Sequence, residues 1–444
     1  MPALWSVLKI IWSGLKIILI GVLTALPVAC ATYGHLEFEP KPITGDGYKA
    51  FAVEINDYGS YWDADEAEKV LEHVRQESNR TNTVVVLYVH GWHHNASPKD
   101  SDFLAFKESL SGLTATLKNN PLFEQARVEL TGIPDVSVLG IYVGWRGRSL
   151  PWYFDYLTFW GRKAAAERVG AGDFREFILR LQQIYEERNG AKNKEEEAKA
   201  KDQNPFMGLV TVGHSFGGQV LFTATSTAIE RELIVAGPKN AQQSPSETVA
   251  PLNGIGDITL LLNPALEAYQ FEKIQRLYSA YTYNCLQTPI FMVVSGEGDW
   301  ARRIWFPRGR WAGQLFRPSF KSAAEYEMWH QALGEYEPHR THELEEVKHL
   351  PSSLSVKHYE TKEIINIDFT AGMVAAEASL MPLKERNRKR FSPVLIAYSS
   401  KDLVQGHTGI FTKPFHQFLI EYIAFIEGKR MILRSKKGKG EICQ

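Results

Sequence analysis

The chain of 444 residues contains only three cysteines and carries almost no net charge. No CxxC pair and no Cys/His ligand spacing occurs, so neither a structural zinc site nor a disulfide framework is predicted. A single bridge between Cys285 and Cys443 remains compatible with the count. The net charge of −1 gives no bias toward nucleic acid, and we predict no nucleic-acid partner. Hydrophobic residues make up 44% of the chain, which excludes a disordered protein.

The N-terminus is almost wholly apolar from residue 4 to residue 31, with Lys9 and Lys16 as the only charges. A basic start followed by an apolar run is typical of a signal peptide. The run ends in Leu-Pro-Val-Ala-Cys30, which resembles a bacterial lipoprotein cleavage site but has a proline where leucine is expected. A lipoprotein signal, an uncleaved membrane anchor and an ordinary cleaved signal therefore all stay open. Each places the remaining chain on the extracytoplasmic side, and we predict membrane association through this segment.

Apolar, β-branched runs alternate with amphipathic segments along the rest of the chain. This alternation predicts the α/β class, with a doubly wound, mostly parallel sheet covered by helices on both faces. The predicted strands are 50–55, 83–89, 136–143, 208–212, 258–262, 290–294 and 393–398. The predicted helices are 63–75, 103–117, 162–188, 218–231 and 414–427.

Two segments depart from the alternation. Residues 240–253 are rich in Ser, Pro, Gln and Asn and are predicted to form a surface loop, and the second segment suggests how the chain is divided. Residues 302–390 are long and aromatic, include a strand-like run at 364–369, and are predicted to form an insertion or cap before the last core strand. We therefore divide the chain into a signal or anchor (1–31), an N-terminal extension (32–80), a main domain (81–430) and a basic tail (431–444).

A candidate nucleophile lies in the sequence Gly-His-Ser215-Phe-Gly. The G-x-S-x-G pattern alone is not specific, but here an apolar strand precedes it and a helical run follows it. Glycines tolerate the sharp turn that this geometry needs. The helix start directs its amides and dipole toward developing negative charge. The pattern predicts that Ser215 is a nucleophile.

A serine nucleophile needs a base, and the base needs an orienting carboxylate. Asp299 and His407 follow the last two predicted core strands, at the sheet edge where open α/β sheets build their sites. We predict His407 as the base and Asp299 as the acid. Asp402 and Glu297 are alternative acids, whereas His416 lies inside the final helix and is interpreted as structural.

The oxyanion of an acyl-transfer reaction needs two preorganised donors. The amide of Phe216 follows the nucleophile directly, and the loop after strand 83–89 offers the amide of Trp92 behind the small Gly91. The Trp92 indole and His93 are candidate substrate contacts; His93 is also compatible with an ordinary loop role.

An unusually aromatic segment spans residues 147–160 and includes Trp152 and Phe154. It follows a core strand on the predicted active-site side, so these rings are candidates for lining an acyl-binding cleft. Packing beneath the insertion is the alternative. His339 and His342 lack the H-E-x-x-H spacing of a zinc protease, and no metal or other cofactor is predicted.

These motifs together resemble the α/β-hydrolase superfamily over residues 81–430. The sequence at 141–147 also resembles a group of uncharacterised bacterial α/β hydrolases. The resemblance implies the fold and a serine-hydrolase triad, but it does not identify a substrate. An H-G-x loop with one glycine is typical of many lipases and esterases in the superfamily. Together with the aromatic segment 147–160, it leads us to expect hydrolysis of a small-molecule or lipid carboxylic ester with an apolar acyl group. Amide, peptide or thioester hydrolysis by the same triad stays open, as does a catalytically silent binding protein with this fold.

Overall fold

The structure is a computed structural model. It describes residues 12, 14, 16, 42–119, 121–147, 159–190, 205–236, 251–299, 303, 306, 320–347, 368–383 and 390–435. The predicted signal or anchor at 1–31 lies outside these residues, apart from 12, 14 and 16, and so does most of the basic tail. No helix in the described ranges combines the length and the apolar character needed to span a bilayer.

Eleven described strands form one mostly parallel sheet, which confirms the α/β class. Their order across the sheet is β1-β2-β4-β3-β5-β6-β7-β11-β8-β10-β9. The strands are β1 (Ile43–Gly45), β2 (Tyr48–Ile55), β3 (Asn82–Val89), β4 (Val136–Trp145), β5 (Met207–His214), β6 (Ile258–Leu262), β7 (Phe291–Gly296), β8 (His342–Glu346), β9 (Met373–Ala375), β10 (Ala378–Pro382) and β11 (Val394–Ser399).

The central strands from β2 to β8 all run parallel, and only the outermost pairings are antiparallel. Every residue of β3 and β5 is buried. Burial on both faces explains why these strands are continuous apolar runs instead of alternating patterns. Because parallel strands end at a common edge, the segments that follow β3, β5, β7 and β11 are brought together there.

Helices cover both faces of the sheet. The described helices are α1 (Ala64–Arg80), α2 (Ser101–Asn119), α3 (Pro121–Thr131), α4 (Phe159–Ala171), α5 (Asp173–Asn189), α6 (Phe216–Ala236), α7 (Ala268–Ser279), α8 (Ala323–His330) and α9 (Lys413–Ser435). Helices α1, α4, α5, α6 and α7 contribute to one buried apolar cluster, and α2, α3 and α9 contribute to the cluster on the opposite face. The two clusters make a core on each side of the sheet, as the doubly wound prediction requires.

The predicted helix 162–188 is in fact two helices, α4 and α5, that meet at Gly172. Gly172 leaves the helical conformation, with φ −90° and ψ −144°. The amide of Asp173 donates to the carbonyl of Gly59 at 2.7 Å, and its carboxylate accepts the amide of Tyr61 at 2.9 Å. The chain therefore exchanges one helical hydrogen bond for contacts with the loop after β2, which an amphipathic pattern alone does not reveal.

The described part of the predicted insertion extends the main sheet. Strand β8 pairs in parallel with β11, and β10 and β9 follow outward as antiparallel strands. These short strands are mixed in polarity, so they carry little strand signal in the sequence. Of the strand-like run at 364–369, only Asp368 and Phe369 are described, and they lie in a turn. Cys285 is disulfide-bonded, and the other two cysteines lie outside the described residues.

Candidate active site

Ser215 lies on the turn between β5 and α6, at the carboxyl edge of the sheet. Its φ of 56° is in the left-handed region, which non-glycine residues rarely adopt. The surrounding backbone holds this conformation, because the amide of Ser215 donates to Leu262 O at 3.0 Å and its carbonyl accepts the amides of Gly218 and Ala265, each at 3.0 Å. Strain maintained in this way is typical of functional turns.

Gly217 shows why small residues flank the serine. A Cβ atom at this position would lie 2.6 Å from the carbonyl oxygen of His90 and would also collide with Val89 O. The turn after β5 thus packs directly against the backbone that leaves β3. A larger side chain would push the two loops of the site apart.

The structure brings Ser215, His407 and Asp299 into one hydrogen-bonded chain. The distance from His407 Nε2 to Ser215 Oγ is 2.6 Å, and that from His407 Nδ1 to Asp299 Oδ2 is 2.7 Å. Asp299 is fully buried and Ser215 is nearly so. With a neutral imidazole, the arrangement that satisfies both partners has Ser215 donating to Nε2 and Nδ1–H donating to the carboxylate.

Asp402, Glu297 and His416 differ from Asp299 and His407 in their burial or in their contacts. Asp402 and Glu297 are exposed, in contrast to the buried Asp299. His416 lies on α9, where its Nε2 is 2.7 Å from Ser109 Oγ on α2. Of the three predicted acids, Asp299 is the one that contacts His407, whereas His416 contacts α2.

The loop after β3 lies beside the serine, as expected for an oxyanion loop. A Cβ atom at Gly91 would be only 2.9 Å from Ser215 Cβ, so the two backbones approach as closely as glycine allows. Phe216 is the first residue of α6, and its amide belongs to the four helix N–H groups that have no intrahelical acceptor. The loop that carries Trp92 and the first residue of α6 thus both lie next to Ser215.

His90 fixes the orientation of the Gly91–Trp92 peptide. Its Nδ1 lies 2.8 Å from Gly91 O, and its Nε2 accepts the amide of Trp145 at 3.0 Å. Burial lowers the pKa of His90 to about 4, so the ring is neutral and Nδ1–H is the donor. Because the peptide is trans, a carbonyl held by His90 turns the amide of Trp92 to the opposite side.

Three aromatic rings form a cluster next to the serine. The ring of Trp92 is 5.5 Å from that of Phe159 and 6.1 Å from that of Phe216, and the last two are 5.0 Å apart. His93 is exposed and stacks on Trp92 at 4.1 Å. Trp152 and Phe154, the other predicted substrate contacts, lie outside the described residues. Phe159, at the end of the same aromatic segment, is the residue that the described structure places at the site.

An ion-pair cluster fixes the start of α4 and with it Phe159. Arg162, one turn further along α4, donates from Nη1 and Nη2 to the two oxygens of Asp57, both at 2.8 Å. Arg146, directly after β4, pairs with the same carboxylate. A bidentate arginine–carboxylate pair has a defined geometry. The sequence pattern did not predict this cluster, because its members lie far apart along the chain.

Two buried polar residues outside the predicted set contact the backbone of His407. His214 Nε2 lies 3.0 Å from the carbonyl oxygen of His407, and Asn263 Nδ2 donates to the same oxygen at 3.0 Å. Burial and the neighbouring His407 lower the pKa of His214 well below its ordinary value, so His214 is a neutral donor. His214 occupies a variable position of the G-x-S-x-G pattern and Asn263 belongs to no recognised motif, so the sequence analysis assigned a role to neither residue.

Within the described ranges, no group of three or more His, Cys, Asp or Glu residues has an arrangement that could hold a metal ion. His342 Nδ1 lies 2.8 Å from Thr341 Oγ1, within the sheet extension, and His339 is buried in a short 3-10 helix. Comparisons of the chain with known protein families, with curated proteins and with solved structures give no match.

Proposed function

We propose that the protein is a serine hydrolase of the α/β-hydrolase fold that cleaves carboxylic esters through an acyl-enzyme intermediate. The observation that carries the proposal is the hydrogen-bonded chain from Ser215 Oγ through His407 to Asp299, with distances of 2.6 and 2.7 Å. A serine on a strained strand-to-helix turn, followed along the chain by Asp and then His, supports the α/β-hydrolase assignment.

In the first half of the proposed reaction, Ser215 Oγ attacks the ester carbonyl carbon while His407 Nε2 accepts the serine proton. Asp299 stabilises the resulting imidazolium through Nδ1–H. The amides of Trp92 and Phe216 stabilise the oxyanion of the tetrahedral intermediate. When this intermediate collapses, His407 returns the proton to the departing alkoxide, and an alcohol leaves.

In the second half, water attacks the acyl-enzyme carbonyl and His407 accepts a proton from it. The second tetrahedral intermediate collapses with Ser215 as the leaving group, which regains its proton from His407. The products are a carboxylic acid and the free enzyme. No additional redox or metal chemistry is needed for this balance.

An apolar acyl group is proposed because the described wall of the site is aromatic. Phe159, Trp92 and Phe216 present rings beside the nucleophile, and Phe159 and Trp92 are only partly buried. Apolar and aromatic linings favour apolar ligand groups, because their contact removes hydrocarbon surface from water.

The proposal is tested by assaying the purified full-length protein with p-nitrophenyl acetate, butyrate and octanoate. We expect hydrolysis, a preference for the longer chains, and a loss of kcat on the order of 10⁵–10⁶-fold in Ser215→Ala. Ser78→Ala is the matched control, since Ser78 is also fully buried but lies on α1. An inactive wild-type protein, or a Ser215→Ala variant as active as Ser78→Ala, would contradict the proposal.

Thioesters and anilides of the same acyl groups extend the panel to the alternative reactions. We expect the highest kcat/KM for oxygen esters. A clear preference for an anilide or a thioester would leave the assignment of the catalytic residues unchanged, but it would change the proposed substrate class.

A further inference from the structure

Asn263 follows β6 directly and has a conformation that the sheet does not require. It is fully buried, and its φ of 44° is in the left-handed region. Among non-glycine residues, asparagine tolerates this region best. Its amide continues the strand pairing by donating to Val294 O at 2.8 Å. The backbone is thus held at a bend that directs the side chain along the carboxyl edge of the sheet.

The carboxamide of Asn263 connects the two loops that carry the partners of Ser215. Its Oδ1 accepts the amide of Gly296 at 2.8 Å, where β7 ends and the loop with Asp299 begins. Its Nδ2 donates to the carbonyl of His407 at 3.0 Å and makes a longer contact of 3.4 Å with Gly406 O. One side chain therefore contacts the backbone of both loops.

The chemistry of these contacts fits a carboxamide and no other side chain of that size. One end faces an N–H donor and the other faces carbonyl acceptors, so the site needs an acceptor and a donor on one planar group. Aspartate would place an oxygen against the carbonyl of His407, and leucine would leave the Gly296 amide unsatisfied in a buried position.

The same two loops must be held at a fixed separation for His407 Nδ1 to remain 2.7 Å from Asp299 Oδ2. The loop of Asp299 is itself closed by the Asp299 amide, which donates to Gly296 O at 3.2 Å. Gly296 is thus bound on its amide side to Asn263 and on its carbonyl side to Asp299. His214 supports the opposite loop by donating to the same His407 carbonyl as Asn263.

We infer that Asn263 is a positioning residue that sets the geometry of the Asp299–His407 pair. It acts through the backbone of Gly296 and His407 and does not contact the reacting atoms. The inference rests on the proposed hydrolase function. A displacement of about 1 Å in such a pair can reduce the rate on the order of 10²-fold, so the effect should be large enough to measure.

The test compares three variants of the full-length protein. Asn263→Asp keeps the shape and the acceptor but removes the donor. Asn263→Gly keeps the backbone conformation but removes both contacts. Thr259→Val is the matched control: it removes a buried 3.0 Å hydrogen bond to Thr211 from the same strand β6, without touching either loop.

Both Asn263 variants should lower kcat for a p-nitrophenyl ester by about 10- to 100-fold with KM within about two-fold of wild type. The rate of inactivation by a fluorophosphonate should fall in parallel. Thr259→Val should keep both rates even where its melting temperature drops. Activity is normalised to the folded fraction, measured by circular dichroism, so that a loss of stability alone does not lower kcat.

The inference is overturned if the Asn263 variants keep wild-type kcat, or if they lose no more activity than Thr259→Val. It is also overturned if neither Asn263 variant folds while Thr259→Val does, because the residue then acts on the fold. If instead the proposed function is wrong, the wild-type protein itself will hydrolyse none of the esters, and the fluorophosphonate will not label Ser215.

Discussion

At the scale of single residues, the central feature is a strained serine, Ser215, in a hydrogen-bonded chain with the half-buried His407 and the buried Asp299. The left-handed φ of Ser215 costs on the order of 1–3 kcal/mol, and the hydrogen bonds to Leu262, Gly218 and Ala265 maintain it. The strain places Oγ at the sheet edge, within 2.6 Å of His407 Nε2. The position of Ser215 Oγ therefore depends on the hydrogen bonds of the surrounding backbone as well as on the serine side chain.

The role of Asp299 is tested by replacing it with asparagine. Asp299→Asn should lower kcat by about 10³–10⁴-fold, because an amide cannot stabilise the imidazolium and favours the wrong imidazole tautomer. Asp402→Asn is the control, since Asp402 is exposed and lies on the same loop as His407. Ester hydrolysis by the two variants is compared at equal folded concentration. A larger loss in Asp402→Asn would mean that the acid has been misassigned.

The hydrogen-bonded arrangement of Ser215, His407 and Asp299 could be predicted from the sequence because each residue follows an apolar strand. The contacts of Asn263 and His214 could not, since they depend on backbone atoms of loops that are distant along the chain. Phe159 was included in an aromatic segment, but the sequence gives no reason to single it out. Its position depends on the Arg162–Asp57 ion pair, which forms only when β2 and α4 come together.

At the scale of elements, the loop after β3 is held from both sides. On one side, the amide of His93 donates to Gly147 O at 3.2 Å and the amide of Gly147 donates to His94 O at 3.2 Å. On the other side, Gly91 packs against the turn that contains Ser215. This close packing fixes where the amide of Trp92 lies relative to Ser215.

Gly91→Ala should therefore move the loop and weaken oxyanion stabilisation. We expect kcat to fall by about 10²-fold, comparable to the loss of one oxyanion donor, with a smaller change in KM. Gly161→Ala is the matched control: an added Cβ meets no described atom within 4 Å, and alanine in a helix raises the free energy of unfolding by about 0.5–1 kcal/mol. Steady-state kinetics and urea unfolding of both variants check this. Undiminished turnover in Gly91→Ala would argue against the assigned oxyanion loop.

The core strands were predicted to within about two residues, since burial on both faces leaves a continuous apolar signal. The division between α4 and α5 was missed because it depends on contacts with Gly59 and Tyr61. The sheet extension by β8, β10 and β9 was missed as well. These edge strands are only three to five residues long and contain few β-branched or aromatic residues, so they give little strand signal in a single sequence.

At the scale of the whole molecule, the edge of the sheet opposite the candidate site, where the parallel strands begin, contains a buried charge cluster. Asp257 accepts the hydroxyl of Tyr185 at 2.7 Å and the amide of Leu209 at 2.8 Å, and it pairs with Arg430 and Arg434. Glu427 is fully buried nearby on α9. Burial, followed by the Asp257 charge, raises the pKa of Glu427 well above its ordinary value of 4.5.

Because the pKa of Glu427 is higher in the folded state than in the unfolded state, the protein loses stability as the pH rises. The contribution of Glu427 is complete below its unfolded pKa of 4.5 and is lost progressively as the pH rises from there through the folded pKa. In Glu427→Gln, the free energy of unfolding should therefore change less with pH above about pH 5 than it does in wild type. In the alkaline range, the variant should have the higher free energy of unfolding. Urea unfolding across that range measures this, with the exposed Glu72→Gln as control. Parallel curves for Glu427→Gln and wild type would rule out this source of pH dependence.

The assignment of Ser215 is tested most directly by identifying the residue that a fluorophosphonate modifies in the full-length protein. After inactivation, intact mass and peptide mapping should find one phosphonyl group on Ser215. The adduct should be absent in Ser215→Ala and should form much more slowly in His407→Ala, because serine alone is a weak nucleophile. An adduct on another residue, or equal labelling with and without Ser215, would contradict the assignment of Ser215 as the nucleophile.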